Sequence, residues 1–280
     1  MRGLWALTKD ALGAWSSDYA PSMGAALSYY TLFSIAPLLL IVIAVAGFFF
    51  GEQAARGEIL GQLRGLMGED GARAVEALLV HAHRPAAGLA ATLAGVGALL
   101  VGATGVFGEL QNALDRIWRA PKTGGGLRNL LRGKLLSFAL VLSIAFLLMV
   151  SLVLSAALAA LGSWWGVHFL DVVGSFLLVT LLFALIYKLI PRAQVRWRDV
   201  WIGAAVTAAL FAAGKLAIGF YLGRGSIATA FGAAGSLVVL MVWVYYSAQI
   251  FLLGAEFTRA YAHAHRGRTA HSQEGRSASD

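Results

Sequence analysis

A few polar and ionisable side chains interrupt long apolar stretches of this sequence, and they are the first candidates for chemistry. A charge at the centre of a lipid bilayer costs roughly 3 kcal/mol or more unless it is paired or hydrated. Residues of this kind are therefore typical of a substrate pathway or a gate. The candidates are Lys215, Glu109, Glu256, Gln249, Asn112 and Pro37.

Three of these candidates also have a purely structural interpretation. Lys215 can extend its amine toward the nearer lipid headgroups, an alternative that weighs as much as a pathway role. Gln249 is more simply explained as a hydrogen-bonding group between helices. Pro37 removes a backbone hydrogen bond from an apolar helix and is expected to bend it.

Local ion pairs are the default explanation for the carboxylates near the ends of the apolar runs. Glu256 can pair with Arg259 at i+3, and Asp115 with Arg119 at i+4. Around Glu109 several polar side chains gather in the first turns beyond an apolar run. A gate or a polar-substrate site at the inner mouth of a helical bundle is the alternative that stays open.

The composition determines which elements must position these residues. The chain has 280 residues, of which 59% are hydrophobic and 13% charged, and its mean hydropathy is +0.74. Soluble chains average about 45–50% apolar and about 25% charged residues, so an ordinary soluble domain is excluded. The absence of cysteine excludes disulfides, thiolate catalysis and cysteine-based metal sites.

Six stretches are long and apolar enough to cross a bilayer as helices, which needs about 20 residues each. None of them alternates with the period of a barrel strand, so the predicted fold is an all-α, six-helix transmembrane domain over residues 25–262. The predicted spans lie near 27–50, 88–110, 135–161, 169–190, 200–222 and 236–258.

Three segments outside the spans carry further predictions. Residues 1–24 are expected to form an amphipathic helix in the membrane interface, ended by Pro21, with Trp5, Leu12, Trp15 and Tyr19 on its apolar face. Residues 52–84 contain two amphipathic runs separated by Gly68-Glu69-Asp70-Gly71, which predicts an outer helical hairpin. Residues 263–280 are polar and are expected to form a disordered cytoplasmic tail.

The distribution of basic residues predicts the orientation in the membrane. Sixteen of the 22 lysines and arginines fall in segments on the side of the two termini, and five fall on the other side. The positive-inside rule then places both termini in the cytoplasm. The net charge of +8 is explained by topology, so nucleic acid is not an expected partner.

Basic residues beside tryptophans on the predicted inner side are suited to contact anionic lipid headgroups. Each such charge contributes about 1 kcal/mol near an anionic surface. Fixing the topology is the simpler explanation of the same residues. The candidate contacts are Arg119, Lys122, Arg128, Arg132, Arg192, Arg196 and Arg198.

No pattern in the sequence predicts a catalytic site, a metal site or a cofactor. His81 and His83 are two residues apart, so on a helix they diverge and cannot chelate one metal. The motifs of P-loop, serine-hydrolase and HExxH metalloprotease sites are absent. A nuclease would need clustered carboxylates with a metal, for which Asp115, Glu109 and Asp199 are the only candidates.

Four runs of the sequence together resemble the YihY/BrkB family of bacterial inner-membrane proteins. They are ALSYYTLFSIAPLLLIVIAVAGFFFG (26–51), GVFGELQNALDRIW (105–118), VRWRDVWIGAAVTAALF (195–211) and GAAGSLVVLMVWVYYSAQIFLLGAEFTRAYA (232–262). The resemblance covers nearly all of residues 20–262. It implies a six-helix membrane fold, and links of family members to serum resistance and envelope lipid export imply transport. The family's former ribonuclease label is regarded as a misassignment, and no catalytic residues carry over.

Three functions are weighed for the chain. The first is an inner-membrane transporter, exporter or flippase-like protein for an envelope lipid or an amphipathic or polar solute. The second is a scaffold whose small-residue stripes, such as Ala204, Ala208 and Ala212, bind other helices. The nuclease ranks last. The expected partners are membrane lipids and their anionic headgroups, and a homo-oligomer stays open.

Overall fold

The computed structural model describes residues 4–82, 105–121, 165–193, 195–223 and 235–277. Regular structure in these residues is helical, in agreement with the predicted fold class. The helices are α1 (Leu4–Ser17), α2 (Ala20–Phe50), α3 (Glu52–Ala82), α4 (105–117), α5 (Trp165–Leu189), α6 (Trp197–Gly223) and α7 (Gly235–Ser277).

Three of the described helices are long and apolar enough to cross a membrane. The candidate spans are Val172–Leu189 in α5, Trp197–Ile218 in α6 and Leu237–Ala264 in α7. Less than half of each span is buried inside the chain, which suits helices surrounded by lipid. They correspond to the last three predicted spans, and the chain is therefore a membrane protein with several spans.

The first three predicted spans are less completely described. The span predicted at 27–50 falls within α2, whereas residues 88–104 of the second and all of the third lie outside the described residues. The count of six therefore stays a prediction.

The chain divides into two compact units, and each has its own apolar contacts. The first unit comprises Met1–Ala20, Gln111–Leu210 and Phe251–Asp280. Within it, Leu7 and Ala11 of α1 pack against Phe257 of α7. The ring centroids of Tyr187 on α5 and Phe251 on α7 lie 5.1 Å apart. These contacts bring α1, α5 and α7 together by burial of apolar surface.

The second unit comprises Pro21–Leu110 and Phe211–Ile250. Its core is formed by α2, α3 and the part of α7 that belongs to this unit. The buried members of this core are Ile43, Leu60, Ala74, Val75, Leu79 and Leu240. The packing explains why α3, which is far less apolar than the spans, is held as a helix.

The structure ends the N-terminal helix earlier than predicted. α1 ends at Ser17, and Tyr19 takes a left-handed backbone conformation with φ of 60°. Pro21 does not end this helix, because it is the second residue of α2, where its fixed φ and missing N–H are tolerated. Trp5 is 81% exposed and Leu12 48%, and the position of α1 in a membrane interface stays a prediction.

The predicted outer hairpin at 52–84 is not what the structure shows, because α3 continues unbroken through Gly68–Gly71. A glycine inside a helix costs about 1 kcal/mol relative to alanine, which packing of the apolar side of α3 can offset. Glu69 also pairs with Arg64 at 3.5 Å and with Arg73 at 3.6 Å, on both sides of the expected turn.

The C-terminal segment also differs from its prediction. Residues 263–277, expected to be disordered, continue α7 to Ser277. The segment contains no proline and includes alanine, arginine, glutamine and glutamate, which propagate a helix at little cost.

Candidate functional site

Four charged residues form a cluster in the first unit, called here the ionic cluster: Asp18, Arg119, Glu256 and Arg259. Asp18 lies in the corner between α1 and α2, and Arg119 lies just beyond the end of α4. Glu256 and Arg259 are one turn apart on α7, within the candidate span Leu237–Ala264. Three separate parts of the chain thus contribute to one group of charges.

Arg259 joins these parts through a single nitrogen atom. Its Nη1 donates to the backbone carbonyl of Ile117 at 2.9 Å. The same atom lies 3.3 Å from Asp18 Oδ2 and 3.4 Å from Glu256 Oε2. One guanidinium therefore serves two carboxylates and the last turn of α4, and charge-assisted hydrogen bonds of this kind are the stronger ones.

Both carboxylates of the cluster are buried. Asp18 is 5% exposed and Glu256 is 1% exposed. Glu256 Oε2 contacts Arg259, but among the described residues Oε1 has no hydrogen-bond partner although it is buried. An unsatisfied buried acceptor costs about 1–3 kcal/mol, more for a charged group, so this atom needs a functional or chemical explanation.

Backbone strain surrounds Asp18. Arg119, whose Nη2 lies 2.8 Å from Asp18 Oδ1, has φ of 49°, and Tyr19 has φ of 60°. Ala120 N–H bonds to Asp115 O and Arg119 N–H to Arg116 O, so α4 ends in a Schellman motif whose left-handed position, usually glycine, is an arginine. A left-handed non-glycine residue costs about 1–2 kcal/mol, and the ion pair with Asp18 helps to hold it.

Arg116 adds a further contact to this corner. Its Nη1 donates to the backbone carbonyl of Asp18 at 3.4 Å. The end of α4 therefore contacts both the side chain and the main chain of Asp18.

Threonines and glycines bring α6 and α7 close together in the same unit. Thr258 on α7 lies where a Cβ on Gly203 of α6 would stand, and Thr207 and Tyr187 lie where a Cβ on Gly254 of α7 would stand. Thr258 Oγ1 donates to Gly254 O, and Thr207 Oγ1 to Gly203 O. Small residues that admit close approach of helices are typical of packing in lipid.

Tyr187 connects α5 to this contact. Its buried hydroxyl donates to Phe251 O at 2.7 Å and lies 3.1 Å from Thr207 Oγ1. The three helices therefore share satisfied polar contacts beside their apolar packing.

A second polar contact joins α4 to the chain after α5. The backbone N–H of Arg192 donates to Asp115 Oδ1 at 2.7 Å, and Gln111 Nε2 donates to Ile190 O at 3.1 Å. The predicted pair of Asp115 with Arg119 is wrong, because Asp115 pairs with Arg192 and Arg119 pairs with Asp18. Arg119 lies beyond the last helical residue of α4 in a left-handed conformation, so the i+4 spacing of a helix does not apply to it.

Glu256 is the predicted pathway residue that the structure places in the ionic cluster. Its pairing with Arg259 at i+3 is confirmed. On α4, Glu109 is half-buried and Asn112 is exposed.

The remaining predicted pathway residues lie in the second unit. Lys215 is exposed on α6, and exposure on the outer side of a helix fits the headgroup-directed alternative. The amide of Gln249 on α7 lies where a Cβ on Gly24 of α2 would stand, so it is placed between two helices, and its role as a hydrogen-bonding group there stays a prediction. Pro37 lies inside α2.

The predicted headgroup residues are partly described. Arg119, Arg192, Arg196 and Arg198 are exposed, together with Trp197 and Trp201 at the start of α6. Lys122, Arg128 and Arg132 lie outside the described residues. The described residues contain no group of three histidine, aspartate or glutamate side chains that could hold a metal ion.

Sequence reasoning missed Asp18. Its ion-pair partners are 101 and 241 residues away in the chain, so no local spacing points to it. The only local signal is an acid two residues before an apolar helix with proline at its second position, which by itself predicts a turn.

These observations define a helical membrane protein with a buried carboxylate on one of its candidate spans. The sequence profile described as "Virulence factor BrkB" matches residues 11–279. The chain therefore belongs to the BrkB family, which confirms the resemblance carried by its sequence runs.

Its curated relatives are membrane proteins of the same kind. The chain is 29% identical over 260 residues to a "UPF0761 membrane protein" of Ralstonia nicotianae, covering 90% of this chain and 58% of the relative. It is 30% identical over 266 residues to one of Verminephrobacter eiseniae, covering 91% and 62%. It is 32% identical over 194 residues to "UPF0761 membrane protein YihY" of Salmonella typhimurium, covering 65% and 63%.

The chain thus spans less than two thirds of the length of these relatives. No solved structure matches it.

Proposed function

We propose that this protein is a transporter, exporter or flippase-like protein of the bacterial inner membrane, for an envelope lipid or another amphipathic or polar compound. The observation that carries the proposal is the buried carboxylate of Glu256 on a candidate span, in contact with half-buried Arg259, which also pairs with buried Asp18. Ionisable groups inside membrane segments are expensive and typically mark pathways or relays. The sequence carries no P-loop, so the driving force is an ion gradient, a partner or the gradient of the substrate.

The strained corner between α1 and α2 supports a moving part. Tyr19 and Arg119 hold left-handed conformations on either side of the Asp18 ion pair. Strained backbone persists where surrounding contacts hold it, and it relaxes when those contacts open. The proposed gate is therefore this corner, held shut by Arg119 and Arg259 on Asp18.

We also propose the orientation and the lipid partners. The excess of basic residues in the segments on the side of the two termini supports cytoplasmic termini. Exposed Arg196 and Arg198, beside Trp197 and Trp201, support contact with anionic headgroups at that face. The substrate is moved without covalent change, so the protein is not proposed to be an enzyme, and self-association in the membrane is open.

Reconstitution into proteoliposomes tests the proposal. Labelled phospholipid and a labelled lipopolysaccharide precursor are followed across the bilayer for wild type, Glu256→Gln and Glu58→Gln, beside protein-free vesicles. Glu58 is an exposed carboxylate on α3, which makes Glu58→Gln a matched control. We expect wild type and Glu58→Gln to move one of the probes. We expect Glu256→Gln to move the same probe at least about tenfold more slowly, which corresponds to an activation barrier higher by about 1.4 kcal/mol. Wild type no faster than empty vesicles for either probe contradicts the proposal.

A non-transporting scaffold for envelope assembly is the second candidate. α6 exposes Ala212, Leu216 and Phe220, which are spaced four residues apart and so share one helix face. Such a face suits another helix as well as lipid. If Ala212→Leu abolishes the cellular phenotype while Glu256→Gln leaves it intact, the scaffold replaces the transporter. Ala204 and Ala208, the other two residues of the small-residue stripe, are buried within the chain and so are not available to another helix.

A further inference from the structure

We infer that Glu256 is a proton-binding residue that takes up and releases a proton inside the ionic cluster, so that the coupling ion of the proposed transport is H⁺. The coupling rests on the proposed function, whereas the proton-binding step stands on the geometry of Glu256, Asp18 and Arg259 alone.

The charges of the ionic cluster are balanced when one of its carboxylates binds a proton. Two buried carboxylates, Glu256 and Asp18, share one nitrogen of Arg259. The charged groups that act on Glu256 among the described residues are Arg259 on its own helix, Asp18 from the corner before α2 and Arg119 from the end of α4. Arg119 is 63% exposed, so solvent screens its charge. With both acids ionised, one negative charge is poorly compensated, and a single proton balances it.

The unpartnered oxygen shows where this proton binds. Glu256 Oε1 is buried and has no partner among the described residues, whereas Asp18 Oδ1 and Oδ2 both contact arginine nitrogens. A proton on Oε1 turns an unsatisfied acceptor into a donor, and the carboxylate of Asp18, which shares Arg259 with Glu256, is an acceptor within the same cluster. The step forms one O–H bond with a proton from water and breaks it on release, with no redox change.

Protonation changes how Arg259 is shared. While Glu256 is ionised, both carboxylates compete for Arg259 Nη1. Once Glu256 is neutral, the guanidinium is held by Asp18 and by the Ile117 carbonyl. Because Asp18 fixes the strained corner at Tyr19, the protonation state of an α7 residue controls how firmly that corner is held.

Infrared difference spectroscopy of the purified full chain tests proton binding without any substrate. The C=O stretch of a protonated carboxyl group is distinct from that of a carboxylate, and it is recorded as the pH is stepped above the range in which exposed carboxyl groups titrate. We expect a titrating protonated-carboxyl band in wild type and in Glu58→Gln, and its loss in Glu256→Gln. Persistence of the same band in folded Glu256→Gln overturns the inference.

Isotope labelling keeps the test decisive if Glu256→Gln does not fold. Of the glutamates whose side chains are described, Glu256 is buried and the others are exposed or half-buried. When the glutamate side-chain carboxyl groups of wild type carry carbon-13, we expect the titrating band to shift. When the aspartate carboxyl groups carry the label instead, we expect the band to stay at its unlabelled position. A band that follows aspartate, or no titrating band at all, overturns the inference.

The two proposals fail in distinguishable ways. A Glu256 band in a protein that moves neither lipid probe supports the proton site and removes the transport proposal. Movement of a lipid probe by a protein with no Glu256 band keeps transport and removes the proton site.

Discussion

Arg259 makes contacts that no other described arginine makes, since one of its nitrogens meets acceptors from the α1–α2 corner, the end of α4 and α7. Replacing it with methionine leaves buried Glu256 without its arginine partner and leaves buried Asp18 paired with Arg119 alone. We expect a loss of about 3 kcal/mol in the free energy of unfolding, because breaking a buried ion pair from one side leaves a bare charge. Denaturation in detergent micelles measures the loss.

The matched control is Arg73→Met on α3, where an exposed arginine pairs with an exposed glutamate. Such pairs contribute about 0–1 kcal/mol. Equal losses for the two variants contradict the central position given to Arg259.

Arg119 gives a second test at the same scale, because its left-handed backbone destabilises the fold whereas its ion pair with Asp18 stabilises it. Arg119→Gly and Arg119→Ala both remove the pair with Asp18, but only glycine relieves the φ of 49°. We expect Arg119→Gly to be more stable than Arg119→Ala by about 1 kcal/mol. Thermal unfolding of the two purified variants measures the difference. If Arg119→Ala unfolds at the same temperature as Arg119→Gly or at a higher one, the backbone at position 119 is not strained.

The site was predictable from sequence only where its contacts are local. Glu256 and Arg259 are three residues apart on a helix, and their pairing follows from spacing. Asp18 was missed because its partners are distant in the chain. Asp115 was assigned the wrong partner, since spacing along α4 does not reveal that Arg192 offers its backbone N–H.

At the scale of elements, the contact of α6 with α7 in the first unit depends on glycines that face threonines. Gly203→Ala places a Cβ onto Thr258, and the close approach must widen. We expect a loss of about 1–3 kcal/mol in the free energy of unfolding, the usual range for overpacking. Denaturation in micelles measures it.

Gly61→Ala on α3 is the control for this change, because a Cβ there meets nothing within 4 Å. Since α3 is one continuous helix, that substitution is expected to stabilise by about 0.5–1 kcal/mol. If Gly61→Ala lowers the free energy of unfolding, α3 is not a continuous helix at that position. If Gly203→Ala leaves the free energy of unfolding unchanged, α6 and α7 are not in close contact there.

Element prediction from sequence succeeded where the signal was long and apolar. The candidate spans in α5, α6 and α7 lie within a few residues of their predicted positions, apart from the later end of the last one. It failed at α3 and at the end of α7, where glycines and polar residues suggested a turn and disorder. Those signals are small penalties of about 1 kcal/mol or less per residue, which packing and continuity of a helix override.

At the scale of the whole molecule, the distribution of basic residues makes a direct prediction of orientation. The chain has no cysteine, so single cysteines report cleanly. Ser16→Cys on α1 and Gln53→Cys on α3 are both at exposed positions. In intact spheroplasts, we expect a membrane-impermeant maleimide to label Gln53→Cys and to reach Ser16→Cys only after permeabilisation. Labelling of Ser16→Cys in intact spheroplasts contradicts cytoplasmic termini.

The measurement that bears most directly on the central claim compares translocation with stability across variants of the ionic cluster. Rates of phospholipid and precursor movement in proteoliposomes are set beside unfolding temperatures for wild type, Glu256→Gln, Asp18→Asn, Arg259→Lys and Gly203→Ala. If transport depends on the buried charges, Glu256→Gln keeps an unfolding temperature near that of wild type but loses translocation. Gly203→Ala has a lower unfolding temperature but retains translocation at temperatures where it is folded. If the translocation rates of all five proteins follow their unfolding temperatures, the claim is contradicted and the role of the ionic cluster is to stabilise the fold.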